Sequence, residues 1–172
     1  ILVNNAGIVS AAAFHRTPMA DWQRIQAVNV EGLVRCSQAV VGSMTRADYG
    51  RIINIASIAG LRGGAYVAPY VASKHAVVGL TKSLSLEYAQ TRMTVNAVCP
   101  GYVETEIVEN SIANIMEKTG RTRDQALAEL TKTNPQGRLI QVEEVAEAVA
   151  WLCSPLSGSV SGQAIAISGG AV

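Results

Sequence analysis

Four short apolar runs, set far apart, constrain this 172-residue chain more than any other feature. They are Ile1-Leu2-Val3, residues 51–56 (Arg51-Ile52-Ile53-Asn54-Ile55-Ala56), 93–99 and 162–168. Each has strand length and ends in turn residues: Asn4 to Gly7, then Gly60, Gly63 and Gly64, then Pro100-Gly101, then Gly169-Gly170. Between the runs, apolar residues recur at helical spacing. Trp22, Ile25, Val28, Leu33, Cys36, Val40 and Met44 mark one helix, from Pro18 to about 44–47, interrupted at Gly32. Strands alternating with helices predict βαβ units and a parallel sheet. The composition agrees: 49% of residues are hydrophobic, 16% charged and only 5% aromatic, which suits aliphatic strands buried on both faces.

A second helix is expected from about Pro69 to Ala89, with Tyr70, Lys74, Val78, Thr81 and Ser85 along one side. Residues 103–137 are more polar. Two helices are read there, 105–118 and 123–132, parted by Gly120, with Thr122 and Gln125 as a capping box for the second. Asn134-Pro135-Gln136-Gly137 breaks the chain, and 142–153 is a further amphipathic helix with acidic residues in its first turn. There is no internal repeat or linker, so a single domain is expected.

The formal net charge of +1 leaves no basic footprint for nucleic acid. No apolar run approaches the ~20 residues of a membrane span, and no stretch reads as a secretory signal. Cys36, Cys99 and Cys153 are odd in number, widely spaced and set among apolar neighbours. They are expected to be buried thiols in a reducing cytoplasm, with no metal site, since neither His15 nor His75 stands near a cysteine. His75 follows Lys74 directly and could approach a site built there.

The chemistry is concentrated in Tyr70-Val71-Ala72-Ser73-Lys74, with Ser57 thirteen positions before the tyrosine. A phenol and an amine four apart share one helix face, and a nearby positive charge favours the phenolate. A serine hydroxyl at a neighbouring strand end could then hold a carbonyl or alcohol oxygen beside the tyrosine. That is a proton-transfer site for interconverting an alcohol and a ketone. Singly, each residue has a plainer reading: Ser57 a strand end, Tyr70 packing, Lys74 a solvated face, Asn29 a helix irregularity, Gly7 and Gly101 turns. Their joint spacing favours chemistry.

Together with Asn4-Asn5-Ala6-Gly7 and Pro100-Gly101, these residues make the chain resemble the short-chain dehydrogenase/reductase family along its whole length. The resemblance implies a Rossmann-like, doubly wound α/β fold, present from the family's fourth strand onward. It implies that Tyr70 is the acid-base residue, that Lys74 lowers its pKa and bonds the nicotinamide ribose, and that Ser57 orients the substrate oxygen. Asn29 would place a water linking Lys74 to solvent. Asn4, Asn5, Ala6 and Gly7 would line the floor of an NAD or NADP site, Pro100 and Gly101 would flank the nicotinamide, and Val103 and Thr105 would hold its carboxamide. Residues 102–136 would form a substrate lid whose apolar face, with Ile107, Val108, Ile112, Ile115, Met116, Leu127 and Leu130, either suits an acyl chain or packs on the domain.

Ile1 falls inside a strand, so the chain reads as part of a longer one. The family's glycine-rich phosphate-binding turn and its ribose-reading residue would lie in roughly 80 preceding residues, about two and a half βα units. The remaining sheet would begin with an apolar edge, and the fragment alone would show little turnover. The sequence between Val98 and Thr105 and the turn from Asn134 to Arg138 resemble members acting on 3-oxoacyl or 3-hydroxyacyl substrates, including 3-hydroxybutyrate. Another small alcohol, sugar or cyclic ketone is the alternative substrate class. Arg62 and Arg138 are read as solvated surface, with contact to an acidic carrier the other reading. The helices at 19–47 and 69–89 resemble those that pair subunits in the family, so a homodimer or homotetramer is expected. A scaffold that only oligomerises through them is the non-enzymatic alternative.

Overall fold

A computed structural model describes residues 1–172. Strands β1 (Leu2–Asn4), β2 (Gly50–Ile55), β3 (Met93–Pro100) and β4 (Ala164–Ile167) form one parallel sheet in the order β1-β2-β3-β4. Leu2 stands beside Ile52, Ile52 beside Val95, and Val98 beside Ile165. Parallel neighbours cannot be joined by a tight turn, so every connection crosses over through helix. β3 is buried along its whole length, whereas Val3 on the edge strand β1 is 41% exposed.

Side-chain alternation gives the sheet two different faces. Ile52 and Val95 point toward Met44, while Ala56, Ala97 and Cys99 pack with Leu33, Val77 and Val78. That face is covered by α2 (Gly32–Arg46) and α3 (Ala68–Glu87). Ile53 and Val98 point the other way, onto Leu152 of α6 (Val142–Cys153). Burying each such aliphatic side chain stabilises by about 1.5–3 kcal/mol. Helices on both faces of a parallel sheet make the fold Rossmann-like and doubly wound.

The expected helix from Pro18 onward has the length its periodicity suggested but is more irregular. α1 (Met19–Gln26) runs into a π-helical turn, Ala27–Glu31, and that into α2. Gly32 keeps helical backbone angles, so the irregularity sits before it, at Asn29. A π turn inserts one extra residue, which rolls a side chain out of register with its helix.

α4 (Glu106–Thr119) and α5 (Arg123–Thr131) pack on each other through Val108, Ile112, Ala126 and Leu130, a cluster separate from the sheet core. Ile107 and Met116, expected on the same apolar face, are exposed. The ends of this insertion are clasped: Glu104 N–H donates to the Ile140 carbonyl (3.0 Å) and Ile140 N–H to the Tyr102 carbonyl (2.9 Å). The Thr122–Gln125 capping box is present, and at the start of α6 the Glu144 carboxylate accepts from Gln141 N–H at 2.7 Å. That contact went unread because glutamine is an unusual residue at a helix start.

Among the cysteines only Cys99 is buried; Cys36 is exposed on α2 and Cys153 is half-buried, which corrects the reading of three buried thiols. Apolar sequence neighbours do not bury a helical residue whose own face looks outward. No helix is long and apolar enough to cross a membrane.

Candidate active site

The three polar residues singled out from the sequence come from separate elements and meet at the C-terminal end of the sheet. β2 ends at Ile55, and Ser57 caps the 3₁₀ turn Ile58–Gly60 that follows, its hydroxyl accepting from Ala59 N–H at 3.1 Å. Proline at the start of α3 suits a missing N–H. It places Tyr70 in the first turn and Lys74 one turn on, turned toward the strand. Lys74 is only 4% exposed; its Nζ donates to the Ile55 carbonyl at 2.7 Å and lies 5.7 Å from the centre of the Tyr70 ring.

Burial decides the electrostatics. It holds the Tyr70 phenol above its ordinary pKa, with the Ser57 hydroxyl pulling it down and Tyr102 pushing it up. The sequence reading had the ammonium lowering this pKa. Desolvation of the phenolate dominates instead, offset in part by the Ser57 hydroxyl and not by Lys74, so Tyr70 stays a protonated donor at neutral pH. Burial also brings Lys74 down to about 8, offset in part by Cys99, and raises the Cys99 thiol to about 11, offset by the Ser57 backbone and by Lys74. Cys99 is therefore a neutral neighbour of the lysine.

Asn29 is 1% exposed and its amide is fully engaged. Ile8 N–H donates to its Oδ1 at 2.8 Å, and its Nδ2 donates to the Ile8 carbonyl (3.0 Å) and to Ser73 Oγ (3.0 Å). The π turn is what presents this amide to both segments. Gly7, one residue before Ile8, lies so near the lysine that a β-carbon there would come within 3.4 Å of Lys74 Nζ.

The Asn4 amide is engaged within the fold. Its Nδ2 donates to Asn54 Oδ1 (2.9 Å) and Ser37 Oγ (3.2 Å), and Asn54 Nδ2 donates to Thr81 Oγ1 (2.9 Å). Its side chain ties β1 to β2 and α2 beneath the site. Asn5 and Ala6 are exposed in the loop above. Pro100 ends β3, and Gly101 sits against Ser168, 3.5 Å from where its β-carbon would be. Val103 pairs with Ile140, and Thr105 precedes α4 with its hydroxyl donating to the Val103 carbonyl at 3.2 Å.

Not every polar residue near the motif joins it. His75 is exposed, its Nδ1 2.9 Å from the Val71 carbonyl. Arg62 donates to the Ala171 carbonyl (3.0 Å), and Arg138 forks onto Glu144 (2.7 and 2.8 Å). Tyr102 and Ser73 lie inside the Pro100–Thr105 and Tyr70–Lys74 motifs, but their spacing assigns them no role; only their placement shows what they touch.

A family model described as enoyl-(acyl carrier protein) reductase matches residues 1–172. The chain belongs to the short-chain dehydrogenase/reductase family. Among solved members, a variant actinorhodin polyketide ketoreductase with NADPH superposes at a TM-score of 0.94 with 41% identity, over 99% of this chain and 66% of that one. The D-beta-hydroxybutyrate dehydrogenase of Rhizobium meliloti is 37% identical over 99% of the chain and 66% of its own length. The 3-oxoacyl-[acyl-carrier-protein] reductase of Vibrio cholerae is 37% identical over 99% and 65%. This short-chain dehydrogenase/reductase chain thus spans just under two thirds of these relatives.

Proposed function

We propose that this chain carries the proton-transfer half of an NAD(P)-dependent oxidoreductase interconverting a secondary alcohol and a ketone, with a 3-oxoacyl or 3-hydroxyacyl substrate. The observation that carries this reading is the convergence of buried Ser57 and Lys74 with half-buried Tyr70 at one spot, with the phenol held protonated. The alternating strands and helices bring two strand ends and one helix together there.

The residues present fit a nicotinamide nucleotide. Gly7 keeps the wall beside Lys74 free of a side chain. Asn5, Ala6, Gly7, Pro100, Gly101, Val103 and Thr105 would hold it, together with Tyr70 and Lys74; Asn4 would support that floor from beneath. When bound, such a group supplies or accepts the hydride. The chain does the rest. Ser57 donates to the substrate oxygen and fixes its position. Tyr70 gives its proton to that oxygen as reduction proceeds and takes it back in oxidation. Lys74, charged at neutral pH, stabilises the phenolate left behind. The Asn29 amide is committed to Ile8 and Ser73, so a proton-relay water at this residue would sit on its main chain.

Residues 102–136 are proposed as a lid over the substrate, its separate apolar cluster letting it adjust without disturbing the sheet. The relatives named for 3-oxoacyl-carrier and hydroxybutyrate chemistry support the substrate class. The exposed face of α2 is proposed as part of a subunit interface, and a cytoplasmic setting suits the free thiols.

The test is reduction of an acetoacetyl thioester by NADPH and NADH, followed at the nicotinamide absorbance, in the natural polypeptide that carries these residues. Turnover is expected, and Tyr70→Phe lowers it by about 10²–10⁴-fold with the fold intact. A well-folded protein that turns over no ketone or alcohol, or a fully active Tyr70→Phe, overturns the reading.

A further inference from the structure

Ser73 stands between two of the proposed catalytic residues and has its hydroxyl fully used. It is 0% exposed. Its Oγ accepts from Asn29 Nδ2 at 3.0 Å and donates to the Tyr70 carbonyl at 2.7 Å. The same Asn29 amide grips both backbone groups of Ile8. One hydroxyl therefore completes a lock between three segments: the loop after β1, the π turn of the long helix, and the first turn of α3.

We propose that Ser73 is a positioning residue, which sets where the Tyr70 phenol sits relative to Ser57 and Lys74 by pinning the first turn of α3 to Asn29. The inference rests on the proton-transfer reading above. Its physical basis is leverage. Tyr70 lies in the first turn of its helix, where the backbone is least restrained by intrahelical bonds. The bond from Ser73 restrains the Tyr70 carbonyl directly, and Asn29 restrains Ser73. The 3₁₀ turn carrying Ser57 touches α3 one turn further along, at Lys74. Losing the Ser73 hydroxyl thus frees Tyr70 more than Lys74, and the spacing between phenol and serine changes. A misplacement of about 1 Å in a reacting constellation can cost about 10²-fold in rate.

The experiment compares parent, Ser73→Ala and Ser73→Thr in the natural polypeptide, measuring kcat, KM, the pH dependence of kcat and the denaturation midpoint. Ser73→Ala is expected to lower kcat by about tenfold or more with KM within about twofold, the pattern of a contact that matters in the transition state. The apparent pKa of the kcat profile moves as well, because the Ser57 hydroxyl bears less closely on the phenol. Ser73→Thr, which keeps the hydroxyl, recovers most of kcat. A folded Ser73→Ala protein with parental kcat and pH profile overturns the inference, even if its midpoint falls, since packing alone would do that. Should Ser73→Ala not fold, Ser73→Cys, slightly larger and a much weaker hydrogen-bonding group, is read the same way. A parent without turnover overturns the proposed function itself, which separates the two failures.

Discussion

Gly60 lies against the backbone of Lys74: a β-carbon on it would come within 2.7 Å of the Lys74 carbonyl oxygen and 3.1 Å of Val78 Cγ2. The turn that follows Ser57 is thereby seated directly on the helix that carries Tyr70 and Lys74. A backbone oxygen cannot swing aside as a flexible side chain can. Gly60→Ala is expected to push the turn off α3, costing about 1–3 kcal/mol in stability and lowering turnover. Gly63→Ala, where a methyl would meet nothing within 4 Å, serves as control and keeps both. Equal behaviour of the two variants in denaturation and rate measurements would refute this seating.

Lys74 gives the protein a pH signature. Its pKa is depressed to about 8 in the fold, so between that value and its ordinary 10.5 the unfolded chain binds the extra proton. Stability therefore rises with pH through this window, and the penalty is present in full below it. Cys99, raised to about 11, acts in the opposite sense above pH 9, and Tyr70 does so above pH 10. The clean interval is pH 8 to 9, where the gain is at most on the order of 1.4 kcal/mol per unit. Lys74→Met should abolish this rise; a variant whose stability climbs with pH as the parent's does would show that the ammonium is not desolvated.

Asn54 is 0% exposed and joins Asn4 to Thr81 across the sheet. Asn54→Ala leaves the Asn4 amide and the Thr81 hydroxyl each short of a buried partner, at about 1–3 kcal/mol apiece. Ser37→Ala removes only the longer, 3.2 Å bond and should cost about 0.5–1.5 kcal/mol. Urea titrations that rank the two in the reverse order would show that the ladder does not hold β1 in place.

Ile112 is 2% exposed within the small cluster shared by α4 and α5. Ile112→Ala should cost about 2–5 kcal/mol locally. Because this cluster does not merge with the sheet core, the loss is expected as faster proteolysis within 106–131, with little change in the global midpoint. A drop of the whole transition, with no new cleavage in that segment, would mean that the lid and the sheet unfold together.

Much of this was legible in residue order, for identifiable reasons. The alternation of apolar runs with helical periodicity determined a parallel, helix-covered sheet, since such strands must be buried on both faces and joined by crossovers. The spacing of Tyr70 and Lys74 determined that they share a helix face, and Thr122 with Gln125 determined a helix start. Tertiary structure alone decided the rest. The direction of the Tyr70 pKa depends on how much water the folded site excludes, which no spacing encodes. Asn4 faces the sheet interior because β1 pairs with β2 in the register that sets it beside Asn54. Cys36 is exposed, and Ser73 is caught between Asn29 and Tyr70, because the π turn and its packing, with α1, against α3 fix which way each side chain points. Those are long-range relations, and a linear pattern of residue types carries only local ones.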